Sequence, residues 1–325
     1  MSPVASAAPP TSAGPSQARA RQRRLSIPAG RPYSFALPML PPRAPRIGTD
    51  RPAGSRSLML RDGAAIHVKD WGTGRPVVFS HAWPLSSDAF DPQMRFLAAR
   101  GLRCVAHDRR GHGRSSRTLA GHDMDTYADD LHELLKAYDL RDAILVGHGA
   151  GGGEVVRYLG RYGSERVSKV ALIGAIPPLM LRTKDNPEGT PIETFDRMRE
   201  SMLTDRAGFF RDFAATFFGC EREGADAATR EAFVDQGMRT GLTAAYFGIS
   251  ALSETDLTDD LRRVDVPALV IHGGDDRFVP VEASALKAAR LIRNTTLKIY
   301  QGASHGLCAT HTDWVNEDLL DFITG

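Results

Sequence analysis

Cysteine is scarce in this chain. Three residues in 325, Cys104, Cys220 and Cys308, are too few and too scattered for a disulfide framework or a zinc site, and a reducing, cytoplasmic setting is the expectation. The ten histidines show no ligand spacing with cysteine or acidic partners, so no metal is expected. No apolar run approaches the roughly 20 residues that cross a bilayer, and no membrane partner is expected. Residues 1–56 lack lysine and hold one acid, Asp50, against nine arginines, a charge of +8; the chain's total of +2 then leaves −6 for residues 57–325. Basic charge confined to a tail, with none clustered on a folded face, argues against nucleic-acid binding.

The same tail is poor in apolar residues and rich in Pro, Ala and Ser, as in "MSPVASAAPPTSAGPSQARARQRR". It offers too little apolar surface to offset its ordering entropy, so residues 1–56 are expected to be a disordered extension. Arg23-Arg24 resembles a twin-arginine leader, but "LSIPAGRPYSFALPMLPP" is broken by prolines and has no continuous apolar core. The simplest reading is an extension without a function of its own, or a start assigned too far upstream; export or organelle targeting is the alternative.

From Ser57 onward, short apolar runs alternate with amphipathic segments. "AIHVKDW", "PVVFS", "LRCVAH", "AILVG", "KVALIGA", "PALVIHG" and "TTLKIY" read as strands, the first two as an antiparallel start. "DAFDPQMRFLAAR", "TYADDLHELLKAY" and "GEVVRYLGRYG" repeat apolar residues at three- and four-residue spacing, which predicts helices. The alternation predicts an α/β fold, a mainly parallel sheet with helices on both faces. It breaks from Pro177 to Val264, where four helical patterns follow one another without a strand. The expected organisation is a core of residues 57–176 and 265–325 with a helical cap of 177–264. The cap's Phe209, Phe210, Phe213, Phe217 and Phe218 either line a pocket or pack the cap onto the core.

The stretch "AILVGHGAGGGEVVRYLG" fits two motifs. Gly147, Gly149 and Gly152 match the dinucleotide fingerprint G-x-G-x-x-G, which calls for an acidic residue about 20 positions further on, at the end of the next strand. That strand, "KVALIGAIPPLM", ends without one, and the fingerprint normally opens the first βαβ unit. The stretch also matches the nucleophile elbow G-x-S-x-G, with Gly149 in place of serine. "VIHGGDDRFVP" places Asp275 and Asp276 in a turn after a strand, and "GASHGL" places His305 in a loop after the last one. Elbow, acid, histidine is the chain order of a hydrolase triad, and such groups gather at the carboxyl ends of parallel strands.

With "VVFSHAWPLSSDAFDPQM", "HDRRGHGRSS", "GHDMDTYADDL" and "GASHGLCATH" added, the chain from Asp62 to Phe322 resembles the α/β-hydrolase superfamily, and within it the cofactor-free chloroperoxidase and aryl esterase family. The resemblance implies an α/β-hydrolase fold and the hydrolysis of small esters; some members also form peracids from carboxylic acids and hydrogen peroxide. It implies Asp276 as the triad acid, with Asp275 as runner-up, and His305 as general base, since a base needs a carboxylate behind it to fix its tautomer. It implies the backbone N–H groups of Trp83 and Ala150 as the oxyanion hole. The family usually has glycine where Ala82 stands, and Pro84 restricts Trp83 to extended or turn geometry. His148 is the family's usual residue before the nucleophile and is expected to point elsewhere.

The missing serine decides what chemistry is left. Glycine has no atom to attack a carbonyl, while Ser115 and Ser304 lack the elbow geometry. An elbow residue sits at a strained backbone angle that glycine reaches freely. Two readings follow: an inactivated or very weak esterase or perhydrolase whose partner is a small ester or carboxylic acid, or a pseudoenzyme that uses the pocket for binding or protein interaction. Retention of Asp276 and His305 favours the first. Hydrolysis and perhydrolysis both stay open as the reaction, and a homo-oligomer stays open as the assembly.

Overall fold

The computed structural model describes residues 56–219 and 225–325. The extension up to residue 55 and Cys220 lie outside the described residues. Eight strands are joined edge to edge: β1 (Arg56–Met59), β2 (Ala65–Trp71), β3 (Pro76–Ser80), β4 (Arg103–His107), β5 (Ala143–His148), β6 (Val167–Ile173), β7 (Ala268–Gly273) and β8 (Thr295–Tyr300). Their spatial order is β1-β2-β4-β3-β5-β6-β7-β8. The pairs β1–β2 and β2–β4 are antiparallel and every other pair is parallel.

This order corrects one expectation. "AIHVKDW" (β2) and "PVVFS" (β3) do not pair, because β4 lies between them. The antiparallel start is the hairpin of β1 and β2, with Arg56 opposite Val68 and Met59 opposite Ala65. Strand β1 is a four-residue edge strand whose side chains are mostly exposed, so it carries no apolar alternation to be read from sequence. It also includes Arg56, the last residue of the expected extension.

Side-chain alternation sends the sheet's apolar residues to two cores. Val77, Phe79, Ile144 and Val146 pack with α1 (Asp91–Ala98) and α11 (Thr312–Thr324) on one face. Val78, Val105, Leu145 and Val170 pack with α2 (Met124–Ala137) and α3 (Ala150–Tyr162) on the other. Helix α2 begins where Asp123 accepts a hydrogen bond from Thr126 N at 2.8 Å, a side-chain cap for an otherwise orphaned N–H.

Between β6 and β7 stand α4 (Ile192–Thr204), α5 (Arg206–Phe218), α6 (Ala227–Arg239), α7 (Leu242–Glu254) and α8 (Thr258–Arg262). Asp205 and Asp226 cap α5 and α6 through Gly208 N and Thr229 N. The cap helices share a separate aromatic core with Trp83 and Phe278. Helix α8 departs from the expected cap boundary: Leu257, Leu261 and Val264 are buried in the core that holds α3. Two short helices, α9 (Ala285–Leu291) and α10 (Leu307–Thr310), complete the chain. No described helix is long and apolar enough to cross a membrane.

Candidate active site

Strand β5 is buried at all six positions, and it delivers its last residue, His148, to the carboxyl edge of the sheet. The chain then turns sharply at Gly149, with φ +53° and ψ −118°, into the first residue of α3. Few side-chain-bearing residues adopt such a φ. Close packing also explains Gly147, where a β-carbon would stand 2.5 Å from the Gly151 carbonyl oxygen. These glycines let a helix start against the strand that feeds it.

The turn after β7 presents two aspartates in different settings. Asp275 is exposed. Asp276 is buried, its Oδ1 accepting from the backbone N–H of Phe278 at 3.0 Å and of Val279 at 2.8 Å. Its Oδ2 lies 2.7 Å from His305 Nδ1 and 3.3 Å from His272 Nε2. Burial alone would raise the Asp276 pKa, but the His305 charge and the hydrogen bonds from His272 and His305 outweigh it and hold the carboxyl well below the usual range. His272 was not among the sequence candidates; its only signal is its place at the end of β7.

His305 follows β8 and is fully buried. Its Nδ1 faces Asp276, while its Nε2 has no hydrogen-bond partner among the described residues and lies 3.0 Å from the point where a β-carbon on Gly149 would stand. The Ala82 methyl is also 3.0 Å from that point. Phe217 and Phe278 meet the His305 ring edge-on at centroid distances of 4.7 and 5.3 Å. Phe213 lies 5.4 Å from the Trp83 ring and 4.8 Å from Phe278. Of the five cap phenylalanines, Phe217 therefore reaches His305 directly and Phe213 encloses the space beside Trp83, while Phe210 is fully buried.

The loop after β3 is fixed from below. Arg109 N–H donates to His81 Nε2 at 2.9 Å, and the Arg109 guanidinium donates to the His81 carbonyl at 2.7 Å. With Nε2 accepting, His81 Nδ1 carries the proton and donates to the Ala82 carbonyl at 2.9 Å. Burial, together with the Arg109 charge, keeps this imidazole neutral. The Trp83–Pro84 peptide is cis. Among the described residues, neither the Trp83 nor the Ala150 N–H donates to a protein acceptor. Arg109 in turn pairs with the buried Glu154 of α3 at 2.8 Å, and Ser80 Oγ donates to the same carboxylate at 3.0 Å. Neither Glu154 nor Arg109 was singled out from sequence.

His148 donates from Nε2 to the His305 carbonyl at 3.0 Å, so it braces the histidine loop and does not enter the site. Burial, then repulsion by His305, lowers its pKa to about 3. Ser115 is engaged elsewhere, donating to the Asp108 carbonyl. Ser304 packs near Gly219 of the cap, where a β-carbon would stand 3.3 Å from Ser304 Cβ.

The family model for the alpha/beta hydrolase fold matches residues 75–312. The chain belongs to the α/β-hydrolase superfamily, in its non-haem haloperoxidase family. It is 52% identical over 265 residues to a non-heme haloperoxidase from Rhodococcus erythropolis, covering 81% of this chain and 97% of that protein. A bifunctional esterase/perhydrolase from Acinetobacter calcoaceticus is 46% identical over 271 residues, 82% of this chain and 98% of that protein. Among solved structures, a bromoperoxidase from Bacillus anthracis superposes with a TM-score of 0.81 at 35% identity, covering 84% of this chain and all of that one.

Proposed function

We propose that the space between Gly149, His305 and the cap is an acyl-compound site of the esterase and perhydrolase type. Its ligands are small carboxylic esters or carboxylic acids, and the chain supplies each part of acyl-transfer chemistry except the attacking atom. One observation carries this reading: His305 Nε2, unpartnered and backed by Asp276 through Nδ1, lies 3.0 Å from where a β-carbon at position 149 would be. Burying this ion-pair-ready dyad in an aromatic shell is costly unless it does work. The Trp83 and Ala150 N–H groups are assigned to the developing oxyanion.

With glycine at 149 no acyl-enzyme forms. The remaining route is attack by water: its oxygen bonds to the carbonyl carbon while its proton passes to His305 Nε2. Collapse then breaks the ester C–O bond, and His305 returns the proton to the departing alkoxide. In Gly149→Ser the serine oxygen would replace water in the first step. The acyl-enzyme would then be resolved by water to an acid, or by hydrogen peroxide to a peracid.

The test is p-nitrophenyl acetate hydrolysis. The chain itself should show only the residual ~10³–10⁴-fold acceleration over water that an oxyanion hole and binding supply. Gly149→Ser should raise kcat at least about 100-fold, and His305→Ala added to it should abolish the gain. A folded Gly149→Ser that stays at background would overturn this reading in favour of a pocket that only binds.

A further inference from the structure

A second cavity, of about 170 Å³, lies at the seam where α5 and α6 meet the Leu85–Pro92 segment and the residues just after His305. Leu85, Phe217, Phe218, Phe233 and Cys308 form its walls, and His148 borders it. The walls are apolar in fact as well as in name, since burial pushes the Cys308 thiol up to about 12 and keeps it protonated. Two oxygen-bearing groups at the rim are already engaged. Asp88 pairs with Lys69 and Arg114, and Gln236 Oε1 accepts from Ser86 N and Oγ at 3.1 and 2.9 Å.

His148 differs from these. Its side chain is almost completely buried, at 2% exposure. Because Nε2 gives its proton to the His305 carbonyl, the neutral ring leaves Nδ1 as a bare acceptor. The bond this ring makes among the described residues runs through Nε2, and His148 is one of the residues that line the cavity. A cavity of about 150 Å³ lined by Leu, Ile and Phe takes up benzene, so the volume here suits a single ring, and His148 brings an uncommitted acceptor to its border.

We infer that this cavity is a second ligand site for a phenol-sized apolar molecule whose single hydroxyl donates to His148 Nδ1. Its occupant would be wedged between cap and core, touching the residue before Gly149 and the residue after His305, Gly306. The inference does not depend on whether the chain hydrolyses anything. It does give a phenolic compound a place to act on the position of His305, through the His148–His305 hydrogen bond and through Phe217, which contacts both histidines.

The test is a soak of crystals of the full chain in 4-bromophenol, with 4-bromoanisole as the partner that lacks a donor, followed by calorimetric titration of both. The expected result is bromine density between Phe217, Phe233 and Cys308, with the hydroxyl about 2.7–3.0 Å from Nδ1. The phenol should bind at least about fivefold more tightly than the anisole, the gain of one hydrogen bond. Ala232→Phe, a substitution at an exposed position of α6 on the cavity's rim, should abolish phenol binding without unfolding the protein. Bromine found only beside Gly149 and Trp83, or nowhere, would overturn the site. Equal affinity for the anisole would overturn the role of His148.

Discussion

At the scale of single residues, Gly149 governs the chemistry. Its φ of +53° is one that a serine adopts at a cost of about 1–3 kcal/mol and that glycine reaches without strain; on the proposed function, this position is where an attacking hydroxyl would stand. Room is a second constraint. A β-carbon there meets the Ala82 methyl and His305 Nε2, both at 3.0 Å, closer than ordinary van der Waals contact. His305 is held by Asp276 and His148, and Ala82 by the His81–Arg109 contacts, so a serine is relieved most simply by removing the Ala82 methyl. Gly149→Ser combined with Ala82→Gly should therefore exceed the single Gly149→Ser variant in kcat several-fold. Steady-state kinetics on p-nitrophenyl acetate decide it, and equal or lower activity of the double variant would show that the Ala82 methyl does not crowd the site.

Much of this residue scale was legible in the sequence. The glycine at the elbow and the chain order of the other two groups could be read from motifs, while the interest of Ala82 came only from the family resemblance. Adjacent carboxylates could not be separated, because Asp275 and Asp276 differ only in which way the turn sends them. The turn buries one against Phe278 N, Val279 N and His305 and exposes the other. Tertiary contacts that span long sequence distances left no pattern at all, as with Arg109 and Glu154.

At the scale of elements, the cap helices were readable because they carry apolar spacing and aspartate N-caps. Strand β1 was not, since an exposed edge strand has no buried face to imprint a period. Helix α8 was assigned to the wrong layer because its helical pattern continues that of the cap, and only packing shows which way Leu257 and Leu261 face. The Glu154 carboxylate joins three elements: it receives hydrogen bonds from Ser80 at the end of β3 and from Arg109 after β4, and His107 Nε2 lies 3.0 Å away. Burial would raise its pKa, but the Arg109 and His107 charges outweigh that and lower it to about 2. Glu154→Ala would leave the buried Arg109 guanidinium unpaired, so it should lower unfolding stability by about 3–5 kcal/mol. Urea denaturation would measure this, and a loss under about 1 kcal/mol would show that α3 is not tied to the loop before Trp83 in this way.

At the scale of the whole molecule, buried neutral histidines set an acid limit. Burial lowers His112 and His148 to about 3 and places His81 well below its ordinary value of 6.5. Unfolded, each takes up a proton near pH 6.5, so the unfolded state binds more protons as pH falls. Stability is complete above about pH 6.5 and is lost below it, by about 2 kcal/mol for each of His112 and His148 between pH 7 and 5, with His81 adding a loss of the same sign. The depressed Asp276 adds a loss of the same sign further into acid, below its ordinary value of 3.8. Thermal unfolding should therefore show Tm falling steeply from pH 7.5 to pH 5. A Tm that is flat or rising over that range would mean that these imidazoles are protonated in the folded protein.

On the proposed function, the site lacks the hydroxymethyl group of a serine at position 149 and little else. Intact-mass spectrometry after treatment with a fluorophosphonate ester, which phosphonylates activated serine hydroxyls far faster than other groups, is the decisive measurement. The chain itself should remain unmodified. Gly149→Ser should gain a single adduct, mapped to position 149, within minutes at pH 7.5, and His305→Ala in that background should lose it. A labelled parent chain would reveal another nucleophile, and a folded, unlabelled Gly149→Ser would contradict the claim that His305, Asp276 and the backbone donors still stand ready for one.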